Sequence, residues 1–234
     1  MAGDDRAARD LAADMKQFLS PRAVHLYPAR GVQYESHLAP PPHLVGLRIV
    51  ALDALRDGPA VVVAGAAALA EKVPDPELRP HGFRIEKGGL LDLDETAAQL
   101  VACGYQHTDQ VEERGQFALR GDILDIYPAT EERAVRCELF DVEVERLTFF
   151  STFTQRSLEE VERVAIEPAA ELGPEHRELA EIAAASEADE RPDVAELLPV
   201  DRFCEVLELL PADAVVAVAA EEELSPRCAT CGRT

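Results

Sequence analysis

Four carboxylates occur close together in the middle of the chain, on segments that the apolar pattern predicts to be neighbouring strands. They are Asp122, Asp125, Glu138 and Asp141. Carboxylates on adjacent strands can hold Mg²⁺ for phosphodiester cleavage, so one hypothesis is a metal-dependent nuclease that uses Asp122 and Glu138. Such sites also use a nearby lysine, and the sequence has no lysine beyond Lys87. The alternative is structural, with these acids facing arginines across an antiparallel sheet.

The lysines also bear on nucleotide binding. A phosphate-binding loop of the G-x-x-x-x-G-K-[ST] type needs a glycine immediately before its lysine. The residues before the three lysines of this chain are Met15, Glu71 and Glu86. The sequence therefore predicts that the chain is not an ATPase by itself and needs no nucleotide cofactor.

The five cysteines are odd in number and widely scattered, which does not fit a disulfide framework. Only Cys228 and Cys231 have ligand-like spacing, and one C-x-x-C pair supplies two of the four ligands of a structural zinc. No second pair or nearby histidine completes the set. We expect no metal site, with a zinc site at this pair as the alternative to an irregular tail.

The fragment R-G-Q-F-A-L-R-G combines Arg114 and Arg120 with Phe117, an aromatic residue that the pattern places at an exposed strand edge. Arginine and aromatic side chains are typical of the energetic centres of protein interfaces. In so acidic a chain, the two arginines would pair either with an acidic partner or with internal carboxylates, and both interpretations stay open. Residues 105–107 are either a surface cluster or, as we expect, the turn after Gly104.

The first third of the chain alternates helical and strand patterns, as an α/β domain does. A first helix is predicted to end at Ser20-Pro21 and to bury Ala7, Leu11, Met15 and Phe18. The pattern then predicts a strand at 24–27, a proline-rich loop at 28–43, a helix with Leu44, Leu47, Val50, Ala51 and Leu55 on one stripe, a fully buried strand at 60–64 and a helix at 66–72.

From Phe83 to Ala170 the apolar period changes to two, which predicts a second unit built on an antiparallel sheet of about four strands. A helix capped by Asp92 or Asp94 and ended by Gly104 is predicted before the sheet. Strands are predicted at 116–120, 122–127 and 135–139, with a bulge at Gly121 and a tight hairpin turn at 140–142.

Beyond Gly173 the sequence becomes rich in alanine and glutamate, with an acidic stretch at residues 186–193. The apolar spacing predicts an amphipathic helix carrying Leu197, Phe203, Val206 and Leu209. It also predicts a buried parallel strand at residues 214–219.

Length and charge restrict the class of protein. The chain has 234 residues, 47% hydrophobic and 29% charged, the balance of a soluble globular protein with one or two domains. No apolar run approaches the roughly 20 residues of a membrane-spanning helix, and residues 1–9 lack the features of a secretory signal, so we expect a cytoplasmic protein without membrane contact. With 45 acidic and 23 basic residues, the net charge of −22 disfavours tight binding of nucleic acid.

A family resemblance is carried by residues 104–128, GYQHTDQVEERGQFALRGDILDIYP. This segment resembles the bacterial transcription-repair coupling factors (Mfd), in the region that they share with the excinuclease protein UvrB. The resemblance continues through residues 136–169, RCELFDVEVERLTFFSTFTQRSLEEVERVAIEPA, and extends loosely over residues 4–223. DQVEERGQF and TQRSLEEVE look more like the coupling factors than like UvrB.

The resemblance implies a fold that is α/β and α+β, in which a RecA-like α/β unit is interrupted by an inserted α+β domain with an antiparallel sheet. It implies three regions: a partial RecA-like domain without a phosphate loop at 1–86, the inserted domain at 87–172, and an acidic helical return segment with an irregular tail at 173–234. We expect a truncated chain, since the family's RNA-polymerase-binding and DNA-translocating parts, with their ATP and Mg²⁺, have no counterpart here.

The resemblance also implies a function, which is docking onto the excinuclease protein UvrA through the inserted domain. Arg120 would be the charge anchor, Arg114 a second one and Phe117 the apolar contact. The implied face also includes Tyr127, and an arginine of the UvrB branch falls near Gln106 or His107. We expect a non-catalytic adaptor in nucleotide excision repair. The alternative is a scaffold fragment of a UvrB-type helicase-like protein that binds DNA.

Overall fold

The computed structural model describes residues 1–32, 39–177 and 199–219. The chain divides into two compact units. The first comprises Met1–Arg30, Val50–Val73 and the chain from Phe203, and the second comprises Gly31–Ile49 and Pro74–Arg202. The fold is mixed, with helices and mainly antiparallel strands. None of the described helices is long and apolar enough to cross a membrane.

The first unit contains a two-stranded parallel sheet beside a helix. Helix α1 (Asp5–Phe18) begins at Asp4, whose side chain accepts a hydrogen bond from the backbone N–H of Ala7 over 2.7 Å. Strands β1 (Val24–Tyr27) and β2 (Val61–Ala64) pair in parallel, as the sequence pattern predicts. The short helix α3 (Ala66–Ala70) follows β2.

Three details of the first unit differ from the predictions. The buried residues of α1 are Ala8 and Ala12, whereas Ala7 is exposed and Phe18 is 86% exposed. The small side chains of Ala8 and Ala12 pack in the core with the strands, whereas Leu11 and Met15 are only half-buried and Phe18 lies in solvent. The prediction of a fully buried β2 is wrong, because a sheet of two strands leaves Val61 and Val62 half-buried.

Helix α3 is also shorter than predicted. It ends at Ala70, and residues Lys72–Pro74 form strand β3. β3 pairs with strand β12 (Phe203–Glu205), which a 3₁₀ turn at Val206–Leu209 follows. The predicted amphipathic helix at these positions is therefore wrong, because pairing with a distant strand overrides the local apolar spacing.

The predicted parallel strand at residues 214–219 is wrong as well. These residues are exposed, and they contribute a single parallel bridge, between Ala219 and Ala2. The predicted acidic stretch at 186–193, Leu197, and the pair Cys228 and Cys231 lie outside the described residues.

Helix α2 (Pro42–Asp57) forms where the apolar spacing predicts it, but its buried face is different. In the second unit the buried positions of α2 include Val45, Arg48 and Ile49. An arginine lies in the buried stripe because its Nε donates to the carboxylate of Glu171 over 2.6 Å. Periodicity treats arginine as a surface residue. Of the predicted stripe, Ala51 is buried, whereas Leu44, Leu47, Val50 and Leu55 are half-buried.

The second unit is built on a six-stranded sheet in the order β10-β9-β8-β7-β6-β5. Its strands are β5 (Gln106–His107), β6 (Gln116–Arg120), β7 (Ile123–Tyr127), β8 (Ala134–Phe140), β9 (Glu143–Phe150) and β10 (Ser157–Glu160). A separate antiparallel pair joins β4 (Phe83–Glu86) to β11 (Arg163–Ile166). The sheet is larger than the predicted meander of about four strands, because short strands at both edges have too little apolar alternation to be recognised.

The helix that the sequence predicts before the sheet is present in the second unit. Helix α4 (Leu93–Ala102) begins at Asp92, whose side chain accepts from the backbone N–H of Glu95 over 2.9 Å. Gly104 follows its end with φ +92°, a left-handed conformation that favours glycine. Leu100 of this helix packs into the core under the sheet.

The turns of the sheet confirm one prediction and correct two. Asp141, with φ +58°, lies in the predicted tight turn between β8 and β9. Gly121 is not a bulge, because Arg120 pairs with Ile123 and leaves Gly121 and Asp122 as a two-residue hairpin loop. Residues 106–107 form the edge strand β5 instead of the predicted turn.

Candidate protein-docking surface

The two faces of the six-stranded sheet differ in chemistry because side chains alternate along each strand. One face carries the core residues Phe117, Leu124, Ile126, Cys137 and Leu147. On the other face, Ala118, Asp125, Arg136 and Thr148 stand opposite one another on β6, β7, β8 and β9. A charged pair therefore occupies the centre of the face opposite the core.

Asp125 and Arg136 form this central pair. Nε and Nη2 of Arg136 donate to the two carboxylate oxygens of Asp125 over 2.7 and 2.8 Å. The side chain of Asp125 is 2% exposed and that of Arg136 is 15% exposed. The hydrogen bond to Asp125 is the main cause that raises the pKa of Arg136. The guanidinium also lies 4.7 Å from the ring centre of Phe150.

Arg120 lies at the end of β6, immediately before the Gly121-Asp122 loop. Its side chain is 45% exposed, and its Nη2 is 3.9 Å from Oδ2 of Asp125. Two guanidinium groups therefore share one buried carboxylate, that of Asp125. The exposed N–H groups of Arg120 are free to face a carboxylate of another molecule.

Arg114 and Tyr127 form a second arginine–aromatic contact. Nε of Arg114 donates to the carbonyl oxygen of Glu131 over 2.8 Å, and its Nη2 is 3.5 Å from Oε1 of Glu132. Its guanidinium lies 5.5 Å from the ring centre of Tyr127, whose hydroxyl donates to the carbonyl of Glu132 over 3.0 Å. Arg114 is thus more constrained by its own loop than Arg120 is.

The expectation that Phe117 is an exposed apolar contact is wrong. Phe117 is 1% exposed and lies in the core, because its side chain projects to the α4 side of the sheet. The ring of His107 stacks on it, with 4.9 Å between ring centres and 21° between planes. Gln106 and His107 themselves are exposed at the β5 edge.

Phe140, which the sequence patterns do not single out, is an exposed aromatic side chain on the hairpin turn next to the one that follows Arg120. Phe140 is 76% exposed at the β8–β9 turn. The preceding residue, Leu139, donates its backbone N–H to the carbonyl of Asp122 over 2.9 Å, so the two hairpin turns lie side by side. The strand register could have indicated that Phe140 lies on the neighbouring turn, whereas residue types alone did not.

The four carboxylates of the nuclease hypothesis do not converge on one point. Asp125 is hydrogen-bonded to Arg136, and Oε1 of Glu138 is 3.7 Å from Nη1 of Arg146. Over residues 1–32, 39–177 and 199–219, no group of three or more histidine, cysteine or acidic side chains is arranged to hold a metal ion. The described geometry gives the nuclease hypothesis no metal site at these residues, and Asp125 and Glu138 pair with arginines as the structural alternative expects.

Comparison with known proteins matches residues 83–172 to the family model described as the UvrB interaction domain. Three similar proteins are transcription-repair-coupling factors. That of Bacillus subtilis is 36% identical over 167 residues, 70% of this chain and 14% of the relative. That of Myxococcus xanthus is 34% identical over 201 residues, which are 81% of this chain and 17% of the relative. That of Escherichia coli is 32% identical over 176 residues, which are 74% of this chain and 15% of the relative. The matched part is thus a small fraction of each relative's length.

Proposed function

We propose that this chain, whose residues 83–172 belong to the UvrB interaction domain family, is a non-catalytic docking module that binds the excinuclease protein UvrA. Through that contact it would recruit UvrA in transcription-coupled nucleotide excision repair. The similarity to transcription-repair-coupling factors over 70–81% of the chain supports a role in transcription-repair coupling. The observation that carries the proposal is Arg120, a half-exposed guanidinium at the end of β6 whose Nη2 is 3.9 Å from the buried carboxylate of Asp125.

The docking surface proposed here has Arg120 as its charge anchor and Phe140 as its apolar contact. An exposed arginine and an exposed aromatic ring at adjacent hairpin turns have the composition of an interface hot spot. The flanking members of the surface are Arg114, Tyr127, Gln106 and His107. Phe117 takes no direct part, because its ring is buried beneath His107.

The partner's contribution follows from the charge of Arg120. A guanidinium forms its strongest hydrogen bonds with carboxylates or phosphates. The chain as a whole carries a net charge of −22, which repels a nucleic-acid backbone. We therefore propose that an aspartate or glutamate side chain of UvrA pairs with Arg120.

The proposal extends to the fold of the first unit. Its parallel pair β1–β2 beside α1 supports a partial RecA-like α/β domain, interrupted by the interaction domain. Residues 1–86 and 173–234 would belong to that α/β domain, and residues 87–172 to the insert.

The test is titration calorimetry of the full chain against purified UvrA. Replacing Arg120 with alanine should weaken binding by about 2 kcal/mol, the scale of a hot-spot truncation. The matched control is Arg84→Ala, which removes an exposed arginine of the same unit from β4, outside the six-stranded sheet. Equal affinities for wild type, Arg120→Ala and Arg84→Ala would reject the proposed role of Arg120.

The rival function is a DNA-binding scaffold fragment of a UvrB-type protein. It requires binding of duplex DNA that weakens as salt rises. We expect none at low salt, because the central guanidinium, that of Arg136, is already engaged by Asp125 in a chain with 45 acidic residues. Salt-sensitive duplex binding by the wild-type chain would favour the rival.

A further inference from the structure

A continuous line of polar contacts crosses the sheet from the proposed docking surface to the β9–β10 turn. It begins at Arg120, whose Nη2 is 3.9 Å from Asp125, and continues through the two hydrogen bonds between Asp125 and Arg136. Nη1 of Arg136 then donates to the carbonyl oxygen of Gln155 over 3.3 Å, and Nη2 donates to the side-chain oxygen of Gln155 over 3.4 Å. One buried carboxylate is therefore connected to two separate surface elements.

The turn at residues 151–156 is closed by its own hydrogen bonds. The backbone N–H of Ser151 donates to the carbonyl of Arg156 over 3.0 Å, and that of Gln155 donates to the carbonyl of Ser151 over 2.7 Å. The side-chain amide of Gln155 donates to the carbonyl of Thr152 over 2.7 Å. Gln155 has φ +58°, which non-glycine residues rarely adopt, so surrounding contacts must hold it in place. Arg136 supplies two of those contacts.

The turn presents one large apolar side chain to solvent. Phe153 is 95% exposed and lies at the centre of the turn. Because hydrogen bonds close the turn around it, the backbone at Phe153 loses little conformational freedom on binding, which favours its ring as an interface anchor. Arg156, in the same turn, is exposed as well, so the turn repeats the arginine–aromatic composition of the Arg120–Phe140 region.

We propose that the 151–156 turn is a second contact element of the docking surface, in which Phe153 enters an apolar hollow of UvrA. Asp125 is the positioning residue of this element, because it holds Arg136, and Arg136 holds Gln155. The inference rests on the proposed function. The polar line that connects the turn to Arg120 is the reason to assign both elements to one partner, and the arginines on both require an acidic rim around the hollow.

The contact is tested with Phe153→Ala in titration calorimetry of the full chain against UvrA. We expect affinity to fall about tenfold or more, as it does when an exposed anchor is truncated. The matched control is Phe18→Ala, because Phe18 is 86% exposed but lies on α1 of the first unit. Equal affinities for Phe153→Ala and wild type, together with weaker binding by Arg120→Ala, would overturn the second contact while the proposed function stands.

The positioning role is tested with Asp125→Asn, which keeps the shape of the side chain but removes its charge. In a nitrogen-15 spectrum, the Nε–H of Arg136 should exchange slowly with water in the wild type and rapidly in the variant. Affinity for UvrA should fall in parallel. The control is Asp57→Asn, an exposed carboxylate that pairs with Arg56 in the first unit and should change neither signal nor affinity.

A second variant keeps the test decisive if Asp125→Asn does not fold. Gln155→Ala leaves the buried pair intact and removes one of the two contacts from Arg136 to the turn. It should weaken binding to UvrA in the same direction, by less than Phe153→Ala. Slow exchange at Arg136 in Asp125→Asn, or unchanged affinity in Gln155→Ala, would overturn the positioning role. Absence of binding by the wild type would reject the proposed function itself, and the second contact with it.

Discussion

The guanidinium of Arg48 is fully buried, and its Nε donates to the carboxylate of Glu171 over 2.6 Å. The two residues are 123 positions apart, and both belong to the second unit. Glu171 lies at the end of the segment that matches the UvrB interaction domain, whereas Arg48 lies outside it. The first half of α2 is therefore a structural part of the unit that carries the docking surface.

Removing the carboxylate of this pair should destabilise the second unit strongly. Glu171→Gln leaves a buried guanidinium without its counter-charge, which typically costs about 3–5 kcal/mol. The midpoint of thermal unfolding, followed by circular dichroism, should fall clearly. Arg56→Ala removes an exposed arginine from the pair with Asp57 and serves as the control, with no measurable shift expected. A stable Glu171→Gln protein would contradict this account of the pair.

Gly104 and Gly88 provide a matched test of close packing. Both have a positive φ, +92° and +77°. A Cβ at position 104 would lie 2.5 Å from the Cβ of Ala170, whereas a Cβ at position 88 would meet nothing within 4 Å. Gly88→Ala should therefore cost about 1 kcal/mol from backbone strain alone, and Gly104→Ala should cost clearly more. Urea unfolding of the two variants measures the difference, and equal losses would contradict the predicted clash.

The Cys103 thiol should make stability decline in alkaline solution. Burial raises the pKa of Cys103 from 9.0 to about 11. Between about pH 9 and pH 11 the unfolded chain therefore releases this proton while the folded chain retains it, so the free energy of unfolding falls as pH rises. Cys103→Ala should reduce that decline in urea unfolding curves measured across the range. An identical decline in the variant would assign the effect to other groups.

Docking should not depend on nucleotide or divalent metal, because no lysine of the chain follows a glycine as a phosphate-binding loop requires. We expect the affinity of the chain for UvrA to be unchanged when ATP, Mg²⁺ or a chelator is added to a UvrA preparation whose own nucleotide state is held constant. Binding of ATP by this chain, detected by direct titration in the absence of UvrA, would contradict the prediction.

The sequence predicts best where the determining chemistry is local. The start of α4 at Asp92 and its end before Gly104 depend on capping side chains and on glycine's access to left-handed φ. The tight turn at Asp141 likewise follows from a phase break in the strand pattern. These features need no information about distant parts of the chain.

The sequence predicts least where distant residues decide burial. Arg48 lies in the core, where its Nε donates to the carboxylate of Glu171, a residue 123 positions away. Phe117 is buried because the register of the sheet places it in the core with Leu100 of α4 and under His107. The same register identifies Arg136 and Phe140, which residue types alone did not mark as parts of the surface.

The central claim is that this chain binds UvrA through a surface of its six-stranded sheet that includes Arg120 and Phe140. Hydrogen–deuterium exchange of the full chain, with and without a saturating amount of UvrA, tests it most directly. We expect slower exchange at residues 106–107, 119–123, 139–143 and 151–156, with helix α1 unchanged. Protection confined to the first unit, or no protection at all, would contradict the claim.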